Sequence, residues 1–129
     1  MKSIELIVRL IIKRENKILL CISKDQDNYF LPGGHVEFGE SLVDTIYREL
    51  KEEIALEKNQ ISNVRYKDFL ENTYDQKDGK HQELLMIFNA DINVDSEIIS
   101  QEGHLDFEWV EMSEIQNIKF LPKSMIPVL

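Results

Sequence analysis

The sequence predicts an α/β fold in which a mixed β-sheet is flanked by helices. Three observations carry that expectation. Residues 4–13 (IELIVRLIIK) alternate as a strand does. Residues 84–88 (LLMIF) form a nearly continuous apolar run, which suits a central strand covered on both faces. Between them lies one amphipathic helix at about residues 40–54, and short helical segments follow late in the chain.

In order, Ile4, Leu6, Val8, Leu10 and Ile12 fall on one face of the first strand. Glu5, Ile7, Arg9, Ile11 and Lys13 fall on the other. Arg9 sits mid-strand among apolar neighbours, either as an edge arginine or as a phosphate or ribose contact. Arg14 to Asn16 turn the chain into a hairpin partner, Lys17 to Ser23. Lys24 to Asn28 are polar and loop-like, and Tyr29-Phe30-Leu31 lead into the turn Pro32-Gly33-Gly34. Glycine there permits backbone geometry and close approaches that a Cβ forbids. Val36 and Phe38 flank Glu37 as in a short strand. Glu40 or Ser41 starts the helix, and Leu42, Val43, Ile46, Tyr47, Leu50 and Ile54 recur at its period.

Beyond the helix, Ile61 to Tyr74 read as a strand, Asp78-Gly79 as a hairpin turn and His81 to Asn93 as the next strand. Asn93 to Gly103 form a polar loop carrying Asp95, Glu97 and Glu102. Leu105 to Val110 form the last strand. Ser113 is placed to cap a short helix through Ile118, and Pro122 to open a final helical turn.

Residues 1–129 read as one domain, large enough for a core without staples. A net charge of −9 argues against binding to a nucleic-acid polymer or an anionic membrane. It does not argue against a phosphorylated small molecule, because a bound cation reverses the local sign. The lone Cys21 allows no internal disulfide, lies in an apolar run as a buried thiol would, and points to a reducing, cytoplasmic setting. The N-terminus reads as neither a signal peptide nor a membrane span.

The chemistry concentrates on the helix. Glu49, Glu52 and Glu53 gather on one face, because residues three and four apart are helical neighbours. Three adjacent carboxylates repel one another. A hard divalent cation such as Mg²⁺ resolves that repulsion, and it takes its remaining ligands from water and substrate phosphates.

The stretch from Gly34 to Leu56 resembles the Nudix box, GX5EX7REUXEEXGU, with U a bulky apolar residue. Gly34, Glu40, Arg48, Glu49, Leu50, Glu52, Glu53 and Leu56 stand at the required positions. Ala55 departs, standing where the family has glycine. Either Ala55 takes a left-handed conformation at a cost of roughly 1 kcal/mol, or the helix runs on toward Lys58 or Asn59.

The resemblance implies a Nudix-type α/β/α sandwich with the box on the catalytic helix, and hydrolysis of a nucleoside diphosphate linked to another moiety. NTPs, dNTPs and ADP-ribose belong to that class, and no residue singles one out. It implies Mg²⁺, with Mn²⁺ as the substitute, held by Glu49, Glu52 and Glu53 with the Gly33 carbonyl. Arg48 would orient a carboxylate, with Glu40 as its partner. Glu102 would be the general base or an extra ligand, ahead of Asp106 and Glu108. Arg9, Tyr29, Phe30 and Glu83 are the candidates for substrate contact. Tyr29, Phe30, Phe38 and Trp109 are open to both stacking and core roles. His81 stands near the expected cleft or on a surface hairpin, and His35 and His104 lack the spacing of a histidine metal site. A homodimer is left open. The competing expectation is a noncatalytic Nudix module that senses a nucleotide or binds protein. The intact set of Arg48 and three glutamates favours catalysis.

Overall fold

The computed structural model describes residues 2–129. Strand β1 (Ile4–Ile11) runs between β5 (Gly33–His35), antiparallel, and β7 (Gly79–Ile92), parallel. The long β6 (Ile61–Gln76) pairs with β7 in an antiparallel hairpin, so the first sheet has the order β5-β1-β7-β6. In the second sheet β3 (Lys17–Ser23) is central. It pairs with β2 (Lys13–Arg14), β4 (Tyr29–Phe30) and β8 (Leu105–Glu111).

The expected partnership of the first strand with Lys17–Ser23 is therefore a short one. It is made by Lys13 and Arg14, while β1 itself turns to β5 and β7. The strand expected around Val36 and Phe38 lies three residues earlier, on the glycine pair, and Phe38 projects fully into solvent.

The alternation of β1 decides the layering. Ile7 and Ile11 enter one apolar cluster with Leu85, Ile87, Ile18 and Leu20. Val8, Leu10 and Ile12 enter another with Phe88 and the helix residues Ile46, Leu50 and Ile54. The sheets thus form a middle layer with both faces covered, as the apolar run of residues 84–88 requires. On one face lies α1 (Leu42–Ile54). On the other lie two 3-10 segments, Met112–Asn117 and Lys123–Val128, which contribute Ile115 and Met125. Ser113 does not cap the first of these; Glu111 occupies the cap position and makes no side-chain cap bond.

Ser41 caps α1 by accepting from the Asp44 N–H at 3.1 Å. At the other end Ala55 is left-handed (φ 58, ψ 32) and donates to the Leu50 and Lys51 carbonyls. The helix therefore stops there and does not run on to Asn59; Lys58–Gln60 make a separate 3-10 turn. Cys21 is fully buried, and burial pushes its thiol pKa well up. No helix among the described residues is long and apolar enough to cross a membrane.

Candidate active site

Gly33 and Gly34 are where the sheet and the helix come closest. Gly33 has φ 142 and faces Arg9 across the β1–β5 ladder; a Cβ there would overlap the Val8 carbonyl. A Cβ at Gly34 would overlap the Glu49 carboxylate. Only glycine lets the helix set its carboxylates against this strand.

Glu53 is 3% exposed and accepts from the Gly33 N–H at 3.3 Å. Burial, with the charge of Glu49 next in importance, pushes its pKa up to about 8. Glu49 is also pushed up, mainly by burial and against the pull of Arg48. Arg48 organises the outer half of the group. Its Nε and one terminal nitrogen hold Glu40 at 2.7 and 3.0 Å, and the same terminal nitrogen donates to the His35 carbonyl at 2.9 Å. The other terminal nitrogen reaches Glu49 at 3.0 Å and Glu52 at 3.4 Å. Glu40 also accepts from the Thr45 hydroxyl at 2.6 Å. Arg48 first, then Thr45, holds its carboxyl at about 2.

The loop before β8 is tied to this helix. The Gln101 N–H donates to the Glu53 carbonyl at 2.7 Å. The Ser100 hydroxyl accepts from the Glu102 N–H at 3.1 Å and donates to its carbonyl at 2.9 Å. These bonds bring Glu102 onto the wall of one cavity of about 1020 Å³ with Glu49, Glu53, Arg48 and Gly33. His104, 3.6 Å from the Glu102 carboxylate, lines the same cavity.

Of the other expected residues, Arg9, Phe30 and Glu83 line this cavity. Arg9 donates to the Leu31 carbonyl at 3.1 Å and lies 5.4 Å over the Phe30 ring. Glu83 is 8% exposed and accepts from Asn72 at 2.9 Å, so it is a buried wall residue and not a surface one. Tyr29 is brought elsewhere: it packs against the inner cluster and its hydroxyl donates to Glu108 at 3.4 Å, because alternation along β4 turns it away from Phe30. Glu52 is off the wall, half exposed beside Arg48. Asp106 pairs with Lys24 at the surface at 3.5 Å. Trp109 packs on the helix-side cluster under Arg14. His81 is outside the cavity, bonded to Asp78 at 2.7 Å and Glu5 at 3.4 Å and stacked on Tyr74.

Asn28, Asn72, Tyr74, Gln76 and Lys123 also line the wall and escaped the sequence reading. Asn72, Tyr74 and Gln76 are every second residue of β6, a signal that alternation would have given once their face was known. Asn28 and Lys123 carry no local signal.

Among the described residues, no three or more His, Cys, Asp or Glu side chains stand ready-converged for a metal ion. Arg48 holds Glu49 and Glu52, while Glu53 is turned to the Gly33 N–H. The donor set nevertheless fits a hard divalent cation. It is all oxygen, two of its carboxylates are mostly buried side by side, and only a positive charge would relieve both.

The NUDIX domain family matches residues 5–129. The chain is 29% identical over 126 residues to an uncharacterized Nudix hydrolase, YvcI, of Bacillus subtilis, covering 95% of this chain and 75% of the relative. It is 28% identical over 110 residues to an RNA pyrophosphohydrolase of Ruthia magnifica, covering 75% of this chain but only 62% of that protein. Among solved structures, the E. coli dihydroneopterin triphosphate pyrophosphohydrolase superposes with a TM-score of 0.74 at 18% identity, over 98% of this chain and 94% of the other. That likeness extends to the α/β/α layering, and the family match reaches from β1 to the C-terminus: the chain belongs to the Nudix hydrolase family.

Proposed function

We propose that this Nudix hydrolase, acting as a single domain, cleaves the phosphoanhydride bond of a nucleoside diphosphate linked to another group. Mg²⁺ is the proposed cofactor, with Mn²⁺ able to replace it. The carrying observation is the pair Glu49 and Glu53: a half-buried and a buried carboxyl side by side against Gly34 and Gly33, both with raised pKa, on the wall of a nucleotide-sized cavity.

Glu49, Glu53 and the Gly33 carbonyl would hold the cation, with Glu52 added once it turns from Arg48. When bound, the cation supplies neutralisation of the diphosphate charge and acidification of the attacking water. Arg48 fixes Glu49 through a charge-assisted hydrogen bond and is itself anchored by Glu40. Arg9, braced by the Leu31 carbonyl and Phe30, offers a fixed positive charge to phosphate or ribose. Glu102, on the same wall and clasped by Ser100, takes the proton of the attacking water.

Charge supports a small substrate. The wall carries three cationic side chains, Arg9, Arg48 and Lys123, against six carboxyls: Glu37, Glu49, Glu53, Asp75, Glu83 and Glu102. Arg48 is already engaged with carboxylates. Such a wall suits an NTP, a dNTP or ADP-ribose better than the polyanion named by the RNA pyrophosphohydrolase relative, and the net charge of −9 favours the same choice.

The test is product analysis across a panel of NTPs, dNTPs, ADP-ribose and 5′-triphosphate RNA, with Mg²⁺, with Mn²⁺ and with excess EDTA. Turnover of a small nucleotide that disappears with EDTA is expected. Full turnover in EDTA would sink the metal requirement. The competing reading is a noncatalytic module that senses a nucleotide. Tight nucleotide binding without turnover, whatever the cation, would establish it.

A further inference from the structure

Asn28 stands just before β4 and is 7% exposed. Its backbone carbonyl accepts from the Ser23 N–H at 3.0 Å, which closes the turn after β3. Its side chain has no comparable role inside the fold. Oδ1 is buried and accepts no hydrogen bond, the one buried side-chain polar atom in that condition among the described residues. An unpaired buried carbonyl destabilises a protein, and native structures pair nearly all of them. Such a group needs a partner that arrives from outside.

The nearest opening is the active-site cavity, which Asn28 lines; Oδ1 itself has no accessible surface, so it meets a ligand there only once the carboxamide turns about its Cβ–Cγ bond. Asn28 and Phe30 are two residues apart on an extended segment and so share a side, and Phe30 lines the cavity too. Asn28 precedes Gly33 by five residues, so the two are at most about 18 Å apart along the chain. A nucleotide with its diphosphate at Gly33 and Glu53 would lay its base back along this wall. Phe30 supplies an aromatic surface there, and the carboxamide of Asn28 supplies an acceptor and a donor side by side.

We propose that Asn28 is a specificity-determining residue that hydrogen-bonds the edge of an adenine base; this rests on the nucleotide reading of the cavity. The unpaired atom is an acceptor, so the ligand must bring a donor. The adenine N6 amine is such a donor, and its N7 accepts from the carboxamide Nδ2.

The test measures binding, which needs no turnover. AMP, purine riboside 5′-monophosphate (which lacks the amine) and ribose 5-phosphate are titrated calorimetrically into the whole protein in EDTA. The wild type is expected to bind AMP at least tenfold tighter than purine riboside monophosphate. Asn28→Ala should bring that ratio to near one and leave ribose 5-phosphate unchanged. Asn28→Asp keeps the shape and the acceptor but loses the donor; it should weaken AMP at least tenfold. A purely structural role would instead weaken all three ligands together and lower the melting temperature of Asn28→Ala. ATP and ADP-ribose hydrolysis with Mg²⁺, measured alongside, separates the two proposals: no turnover with AMP selection intact sinks the hydrolase reading and leaves this one standing. Equal wild-type binding of AMP and purine riboside monophosphate, no AMP binding at millimolar concentration, or a ratio unchanged in Asn28→Ala would overturn it.

Discussion

Glu53 is held where an ionised carboxylate is disfavoured: nearly out of solvent, beside Glu49, with one backbone N–H as its hydrogen-bond donor. Its pKa of about 8 lies above the ordinary 4.5. Between those values the folded, metal-free protein keeps a proton that the unfolded chain has lost. The stability from that proton is complete below pH 4.5 and is lost as pH rises through 8. Glu53→Gln mimics the protonated form. It should lower turnover by orders of magnitude, keep the metal-free protein folded, and flatten the decline of its melting temperature between pH 5 and 8. A steep decline surviving in the variant would assign the titration to another group. Glu102 makes a different prediction. A positioned general base contributes about 10²–10⁴-fold, so Glu102→Gln should lower kcat at least tenfold with a smaller effect on KM. Asp106→Asn, at the surface with Lys24, should do less. The reverse order, in steady-state kinetics of both variants, would move the base to β8.

At the scale of the element, α1 is defined by its two ends. Ser41 caps the first and Arg48 straps Glu40 to the second turn, so the helix start and the carboxylate face are fixed together. Glu40, held at about 2, works opposite to Glu53: its stabilisation is present above pH 4.5 and is lost as pH falls toward 2. The C-terminal end carries strain. Ala55 adopts φ 58, where a Cβ meets the following carbonyl oxygen. Ala55→Gly should therefore stabilise the protein by about 1 kcal/mol, which is roughly 4 °C in melting temperature for a chain of this size. Thermal melts decide the sign, and metal dependence should be unaffected because the carboxylates lie upstream. A lower melting temperature would mean that the extra backbone freedom of glycine in the unfolded chain outweighs the strain.

For the whole molecule, the cavity joins pieces from distant parts of the chain: the glycine pair of β5, one face of α1, Asn72 and residues 74–76 of β6, the loop ending at Glu102 and the C-terminal Lys123. A cation that binds the folded site and not the unfolded chain stabilises by mass action. Mg²⁺ must displace the proton of Glu53, so its effect should strengthen with pH. Melting temperature with Mg²⁺ should exceed that in EDTA by a margin that grows from pH 6 to pH 8. A margin independent of pH would mean that the cation binds without deprotonating Glu53.

The sequence alone determined the helix, its three glutamates and the family, because a period of 3.6 and the box spacing are local properties of the chain. It determined β1, β3, β7 and β8 nearly to the residue for the same reason, since alternation and apolar runs are written within each segment. Tertiary structure decided what depends on which segments meet. Ala55 was legible as a departure but its left-handed conformation was not, because the local pattern allowed the helix either to end there or to run on toward Asn59. Glu52 matches the box as well as Glu53 does, yet one lies beside Arg48 in solvent and the other under Gly33, a difference of helical angle that only the neighbouring strand converts into burial. Tyr29 and Phe30 looked alike as stacking residues until the pairing of β4 with β3 sent one to the core and the other to the cavity. Asn28 carried no signal at all. A polar residue in a polar loop is unremarked until the surrounding chain removes water from its Oδ1 and offers no donor in return.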